Sequence, residues 1–140
     1  MAKRTPQYSL SVQASTDHLS EVRDFVAEHA AEFGFSADDV DDIRLAVDEA
    51  YTNIIKHAYN YDDSKSVEIN LGFNHREFWV SLLDDGDSFD PRSYAVPDIK
   101  RKIKEKKRGG VGVYLIRKLM DRVEYGKQNN RNEIRMIKKK

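Results

Sequence analysis

Residues 45–59 read LAVDEAYTNIIKHAY, from Leu45 to Tyr59. Val40, Ile43, Val47, Ala50 and Ile54 recur before and through this stretch at three- and four-residue spacing, the period of an amphipathic helix. Ser36 stands at the N-cap position, and Asp38 and Asp39 fall in the first turn, where carboxylates suit the positive end of the helix dipole. The helix is expected to run from there to about Tyr59. Successive residues turn by about 100°, so Glu49 and Asn53 point roughly opposite the stripe, with Asp42 and Ala46 on the same side. Two readings stand for this pair. It belongs to the solvated face, or it addresses a ligand. Asn is a poor helix former at an exposed site, and Tyr51, Ile55 and Ala58 widen the apolar surface as if a second wall covered the helix. A carboxylate and an amide four residues apart share one face. Oxygen donors of this kind suit Mg²⁺, and a carboxylate suits a general base.

The pattern on either side of this helix is equally regular. QYSLSVQ alternates with Tyr8, Leu10 and Val12 on one side, a half-buried strand over residues 7–13. Ser15 or Thr16 can cap a helix whose stripe is Leu19, Val22, Phe25, Val26, His29, Ala30 and Phe33, closed by Gly34. Val67, Ile69, Leu71 and Phe73, then Phe78, Val80 and Leu82, predict a hairpin over residues 66–83. Val111, Leu115, Ile116 and Leu119 predict another helix. Val123 and Tyr125 begin a strand, Ile134 and Met136 mark its partner, and GKQNNRN is expected as the turn between them. Strands pair as hairpins while helices cluster elsewhere in the sequence. The expected fold class is therefore α+β, an antiparallel-rich sheet with helices on one face, in a single domain over residues 1–140.

Composition narrows the function classes. Lys+Arg and Asp+Glu are 24 each, so net charge offers no argument for nucleic acid or membrane, and only local patches could. The absence of cysteine excludes disulfides, thiol catalysis and thiolate metal sites. The four histidines, at 18, 29, 57 and 75, share no metal-ligand spacing. No apolar run approaches the ~20 residues of a spanning helix, and MAKRTPQY leads into no apolar segment, so neither membrane span nor secretory signal is expected. A cytoplasmic location is expected.

Two glycine-bearing segments carry further signals. LLDDGDSFDP leaves a buried strand, with Asp84 the first polar residue after Leu82 and Leu83, and Gly86 free to adopt a positive φ or a close backbone approach. By itself this is also what an ordinary turn looks like. RGGVG opens a helix, and Gly109, Gly110 and Gly112 let backbone N–H donors approach an anion that Arg108 can grip with its planar fork. A flexible hinge is the alternative. Neither a dinucleotide fingerprint nor a P-loop fits, because the spacing is wrong and no Lys-Ser/Thr follows. The stretch 84–110 is long for an irregular connection in a compact domain. Within it, Lys100–Arg108 holds seven basic residues in nine: a solvated loop, a polyphosphate neutraliser or a contact for an acidic partner. Nucleic acid is not expected, since the chain is neutral overall and no aromatic residue interleaves the run.

In this order the signals resemble the GHKL ATPase superfamily with its Bergerat ATP-binding fold: E-x-x-x-N on a helix, D-x-G after a strand, a basic lid, then G-x-G before a helix. DEAYTNIIKHAY, DDGDSFDP and GGVGVYLIRKLMDRVEY are similar to the anti-sigma factor serine kinases of bacterial partner-switching systems, over nearly the whole chain. The resemblance implies a two-layer sandwich, with a mixed, mainly antiparallel sheet covered on one face by helices and an ATP lid over about residues 91–109. It implies Glu49 as the general base toward a substrate serine, and Asn53 as the ligand of Mg²⁺ bridging the ATP phosphates. It implies Asp84 as acceptor for the adenine amino group, with Gly86 letting the base sit close. Arg108, Gly110, Val111 and Gly112 would meet the phosphates. Phosphoryl transfer asks for this kind of site, with positioned donors, charge neutralisation and an oriented nucleophile.

Two positions depart from the family's pattern. Ser88 stands where a second glycine is common, and Arg131-Asn132 precede Glu133 where Gly-Thr is frequent. That Thr usually supports the adenine-binding Asp. The resemblance also implies a sigma factor and an anti-anti-sigma (STAS-type) protein as partners, and a homodimer whose surface is expected on the first strand and helix. The alternative is a nucleotide-gated interaction module of the same fold with little or no kinase activity. A full sensor histidine kinase is not expected, since no transmitter helix pair with a phospho-accepting His is present.

Overall fold

The structure, a computed structural model, describes residues 5–86 and 109–140, and the side chains of all of these except 109–113. The strands are β1 (Tyr8–Gln13), β2 (Ser66–Phe73), β3 (Glu77–Asp84), β4 (Arg122–Gln128) and β5 (Arg131–Lys139). The helices are α1 (Leu19–Phe33), α2 (Ala37–Asn53) and α3 (Gly109–Leu119). The strands form one sheet in the order β1-β2-β3-β5-β4. Every pairing is antiparallel, so no parallel pair of the expected mixed sheet appears among the described residues. The reason is topological. β3 and β4 run in the same direction, but β5 lies between them and pairs antiparallel with both.

Local chemistry places the helix ends where the sequence predicts them. Ser15 Oγ accepts from Asp17 N at 3.1 Å and starts a 3₁₀ turn (Thr16–His18) that leads into α1. Gly34 ends α1 in the left-handed region at φ 106°, a conformation that costs glycine little. Ser36 Oγ accepts from Asp39 N at 3.2 Å and caps α2.

Two boundaries differ from the periodicity. The α-helix stops at Asn53, and Ile54–Ala58 widen into a π-turn in which Tyr59 N–H reaches back to Ile54 C=O at 3.0 Å. The turn between β4 and β5 is far shorter than GKQNNRN. Only Asn129 and Asn130 leave the ladder, at φ 53° and 66°, the signature of a type I′ turn.

The helices pack on the sheet face that carries Val67, Ile69, Leu71, Phe78, Val80, Leu82 and Met136. Val22, Val26 and Ala30 of α1, Ile43, Val47 and Ala50 of α2, and Ile116 of α3 complete the core. At one end Phe33, Phe35, Phe73 and Phe78 form an aromatic cluster, with Phe33 and Phe35 centroids 4.7 Å apart. Alternation finds this inner face correctly but understates the other. Trp79, Ser81 and Leu83 are buried as well. Trp79 lies across Gly72, where an added Cβ would come within 2.9 Å of the indole, and Arg135 stacks over the ring at 5.2 Å.

Candidate functional site

Glu49 and Asn53 lie one turn apart on the last part of α2, both half-buried. Neither side chain makes a hydrogen bond within the described residues. Ala46, expected on the same side of the helix, is fully buried, which speaks against the solvated-face reading, and Leu45 is 43% exposed. α3 packs along α2 and covers part of its surface. Arg23 of α1 holds the neighbouring Asp48 with two parallel bonds, Nε to Oδ1 at 3.1 Å and Nη2 to Oδ2 at 2.8 Å, and pins α2 from the opposite side.

The end of β3 is built around Asp84, which is 6% exposed. The β3–β5 register sets Asp84 directly opposite Asn132. Asp84 Oδ1 accepts from Gly86 N at 2.9 Å and from Asn132 Nδ2 at 3.1 Å. Asn132 Nδ2 also donates to Gly86 O at 2.9 Å. Burial pushes the Asp84 pKa up, and the hydrogen bonds from Asn132 and Gly86 oppose that rise. No described residue donates to Oδ2. A buried carboxylate with one unmatched oxygen is the arrangement that a ligand amino group would complete.

This corner is bolted to the end of α2. Gly86 lies so close to the π-turn that an added Cβ would stand 2.5 Å from Ala58 O. Contact with Ala58 inside the protein is thus enough to require glycine at this position. The Tyr59 hydroxyl donates to Ser66 O and accepts from Asp85 N, each at 2.7 Å. Just outside, Arg131 joins Asp85 at 3.2 Å and Glu68 at 3.1 Å. Tyr59 and Ala58 support this corner, although by spacing Tyr59 marks only the helix end and Ala58 only a wider apolar surface. Their signal is weak, because a tyrosine and an alanine at helical spacing look like core.

Gly109, Gly110 and Gly112 form the first turn of α3, as expected, with Val111 among them. Their N–H groups belong to the four that every helix start leaves unpaired within the helix. Arg108, the lid over 91–108, the basic run and the DSFDP segment with Ser88 lie outside the described residues. Among the described residues no group of three or more His, Cys, Asp or Glu could hold a metal. An ion at Asn53 would draw its remaining ligands from phosphate oxygens and water, the usual habit of Mg²⁺. The parts that fit a nucleotide are thus the Asp84 corner for a base and the α3 start for phosphate, with α2 packed against α3 and tied to that corner.

The backbone arrangement recurs in a solved structure. The crystal structure of the RsbU and RsbW domains of Rv1364c from Mycobacterium tuberculosis superposes on 96% of this chain and 32% of that longer one, with a TM-score of 0.64 and 16% identity. The molecule thus shares that α+β fold. The chain belongs to the histidine kinase-like ATPase domain family, whose model matches residues 12–138. Among its relatives, the serine-protein kinase RsbW of Bacillus thuringiensis (strain Al Hakam) is 30% identical over 128 residues, covering 89% of this chain and 79% of that protein. The serine-protein kinase RsbW of Bacillus anthracis is 32% identical over the same length and coverage. Among the described residues no helix is long and apolar enough to cross a membrane.

Proposed function

We propose that this chain is an ATP-dependent serine-protein kinase and anti-sigma factor, binding a sigma factor and phosphorylating a serine of an anti-anti-sigma (STAS-type) partner. One observation carries the reading. The buried, half-satisfied Asp84 carboxylate is tied through Tyr59 and the Gly86–Ala58 contact to the end of the helix bearing Glu49 and Asn53. A base-binding corner and an acid–amide pair built as one rigid unit are what a phosphoryl-transfer site needs. The relatives named as serine-protein kinases support the same assignment.

In this reading Asp84 Oδ2 accepts from the adenine amino group, and Gly86 keeps the corner narrow. Gly110, Val111 and Gly112 offer backbone N–H groups to phosphate, with Arg108 adding charge. Asn53 ligates Mg²⁺, and Glu49 takes the proton from the attacking serine hydroxyl. Bound Mg-ATP supplies the phosphoryl group. The reading also includes a homodimer, for which the edge strand β1, with Tyr8 and Leu10 half-buried, offers an unpaired rim beside α1. A sigma factor works where transcription occurs, which puts the chain in the cytoplasm.

The test is phosphate transfer from radiolabelled Mg-ATP to a STAS-type partner. Wild type should label a serine. Glu49→Ala should lose transfer by about a hundredfold or more while retaining nucleotide affinity, since removing a base acts on rate rather than on ground-state binding. No transfer by wild type, with ATP-sensitive partner binding that Glu49→Ala leaves intact, would instead identify a nucleotide-gated interaction module.

A further inference from the structure

We infer that Arg23 is a positioning residue of the nucleotide site: by holding Asp48 against α1, it takes the charge of the carboxylate beside Glu49 out of the field that an incoming polyphosphate meets. The inference rests on the nucleotide-site reading and adds to it an electrostatic role for a contact between α1 and α2.

The need for such a contact arises in α2 itself. The helix carries Asp38, Asp39, Asp41, Asp42, Asp48 and Glu49 against a single cation, Arg44. A helix that borders a phosphate site is hindered by this many acids, because like charges a few ångströms apart repel one another where water is partly excluded. A protein cation on Glu49 would tie up the group that takes the serine proton. Asp41 lies roughly two turns before Glu49 and meets Arg44 of its own helix at 3.5 Å. Asp48 is the immediate neighbour of Glu49, with Cα atoms about 3.8 Å apart. Among the described residues it is the only acid of α2 held as an ion pair from another element.

The geometry suits neutralisation. Arg23 Nε donates to Asp48 Oδ1 at 3.1 Å and Nη2 donates to Oδ2 at 2.8 Å, so one planar cation takes both carboxylate oxygens. The two side chains are 33% and 21% exposed, which leaves the pair less screened than one in open solvent. Successive helix residues turn by about 100°, so a fork arriving from α1 reaches Asp48 without covering Glu49. Glu49 makes no ion pair with any described residue. A ligand at Glu49 and Asn53 therefore meets one uncompensated carboxylate where the sequence places two side by side.

The charge of the pair separates this role from a purely structural tie. The pair is neutral in wild type, negative in Arg23→Gln, positive in Asp48→Asn and neutral again in the double variant. Calorimetric titration of the full chain with Mg-ADP at low salt reads the difference. Arg23→Gln, which keeps part of the stem and an amide donor, should bind Mg-ADP at least about threefold more weakly than wild type. Asp48→Asn should bind it at least as tightly as wild type, and the double variant should return to within about twofold of wild type. In ~1 M salt, where the screening length falls to about 3 Å, most of the difference between wild type and Arg23→Gln should vanish. Equal losses in the two single variants, not recovered in the double, would reduce the fork to a structural tie and overturn the inference. So would an unchanged affinity in Arg23→Gln, or a loss that salt leaves intact. Absence of Mg-ADP binding to wild type overturns the nucleotide-site reading and this inference together, whereas binding with the wrong order among the variants overturns this inference alone.

Discussion

Asp84 is a residue whose placement costs the fold something. Burial raises its pKa above the ordinary range of an exposed aspartate, so the folded state holds the proton more tightly than the unfolded chain. The contribution of Asp84 to stability is therefore greatest below about pH 4 and is lost as pH rises through the folded pKa. Asp84→Asn keeps an acceptor for Gly86 N and Asn132 Nδ2 but removes the buried charge. It should unfold at a higher temperature than wild type near pH 7, with the gap closing toward about pH 4 in parallel melts. The same variant should lose nucleotide affinity by about tenfold or more, since a charge-assisted hydrogen bond goes. Gly86 answers to a different constraint. An added Cβ would meet Ala58 O at 2.5 Å, and that atom is backbone. Gly86→Ala should destabilise by about 1–3 kcal/mol in urea unfolding and push the Asp84 corner away from α2.

At the scale of elements, the π-turn after α2 is the part that periodicity misreads. Extending a 3.6-residue pattern to Tyr59 assumes that the hydrogen-bond ladder continues, and here it widens by one residue. The widening buries both Ile54 and Ile55 and brings Tyr59 to the start of β2 and the end of β3. Tyr59→Phe keeps the ring but leaves Asp85 N–H and Ser66 C=O without the hydroxyl. The expected cost is about 1–3 kcal/mol of stability, together with weaker nucleotide binding because the strand end loosens. Tyr61→Phe, on a side chain 62% exposed, serves as the control and should be neutral. The β4–β5 turn is shorter than its composition predicts for a related reason. GKQNNRN is rich in turn-forming residues, but two asparagines in the left-handed region suffice to reverse the chain, and the flanking residues pair.

Across the whole molecule, the candidate site draws on three pieces far apart in the sequence: the end of α2, the strand β3 with its neighbour β5, and the start of α3, which packs along α2. A ligand that touches all three should stabilise the entire domain by mass action. ADP at about a hundredfold excess over its Kd should add about 2.7 kcal/mol to the unfolding free energy. A thermal-shift titration checks it: the melting temperature should rise with ADP in wild type and stay flat in Asp84→Ala. A flat response in wild type would contradict a site assembled from these three pieces.

Most of the fold was legible because its cues are local. Ser15, Ser36 and Gly34 act on adjacent backbone groups, and alternation at Val67–Leu71 and Phe78–Leu82 marks one sheet face whatever lies above it. Glu49, Asn53, Asp84 and Gly86 could be singled out as the wrong residue types for their local settings, and a family pattern then suggested their roles. The sequence by itself thus determined which segments are helix and strand and which polar residues are anomalous. What those residues touch was decided only by tertiary structure. The register that sets Asn132 opposite Asp84, the packing of α3 that buries Ala46, and the approach of Gly86 to Ala58 join residues far apart in the chain. Such pairings depend on how sheet and helices close on one another, and no spacing along the chain encodes the distance between two atoms brought together by that closure.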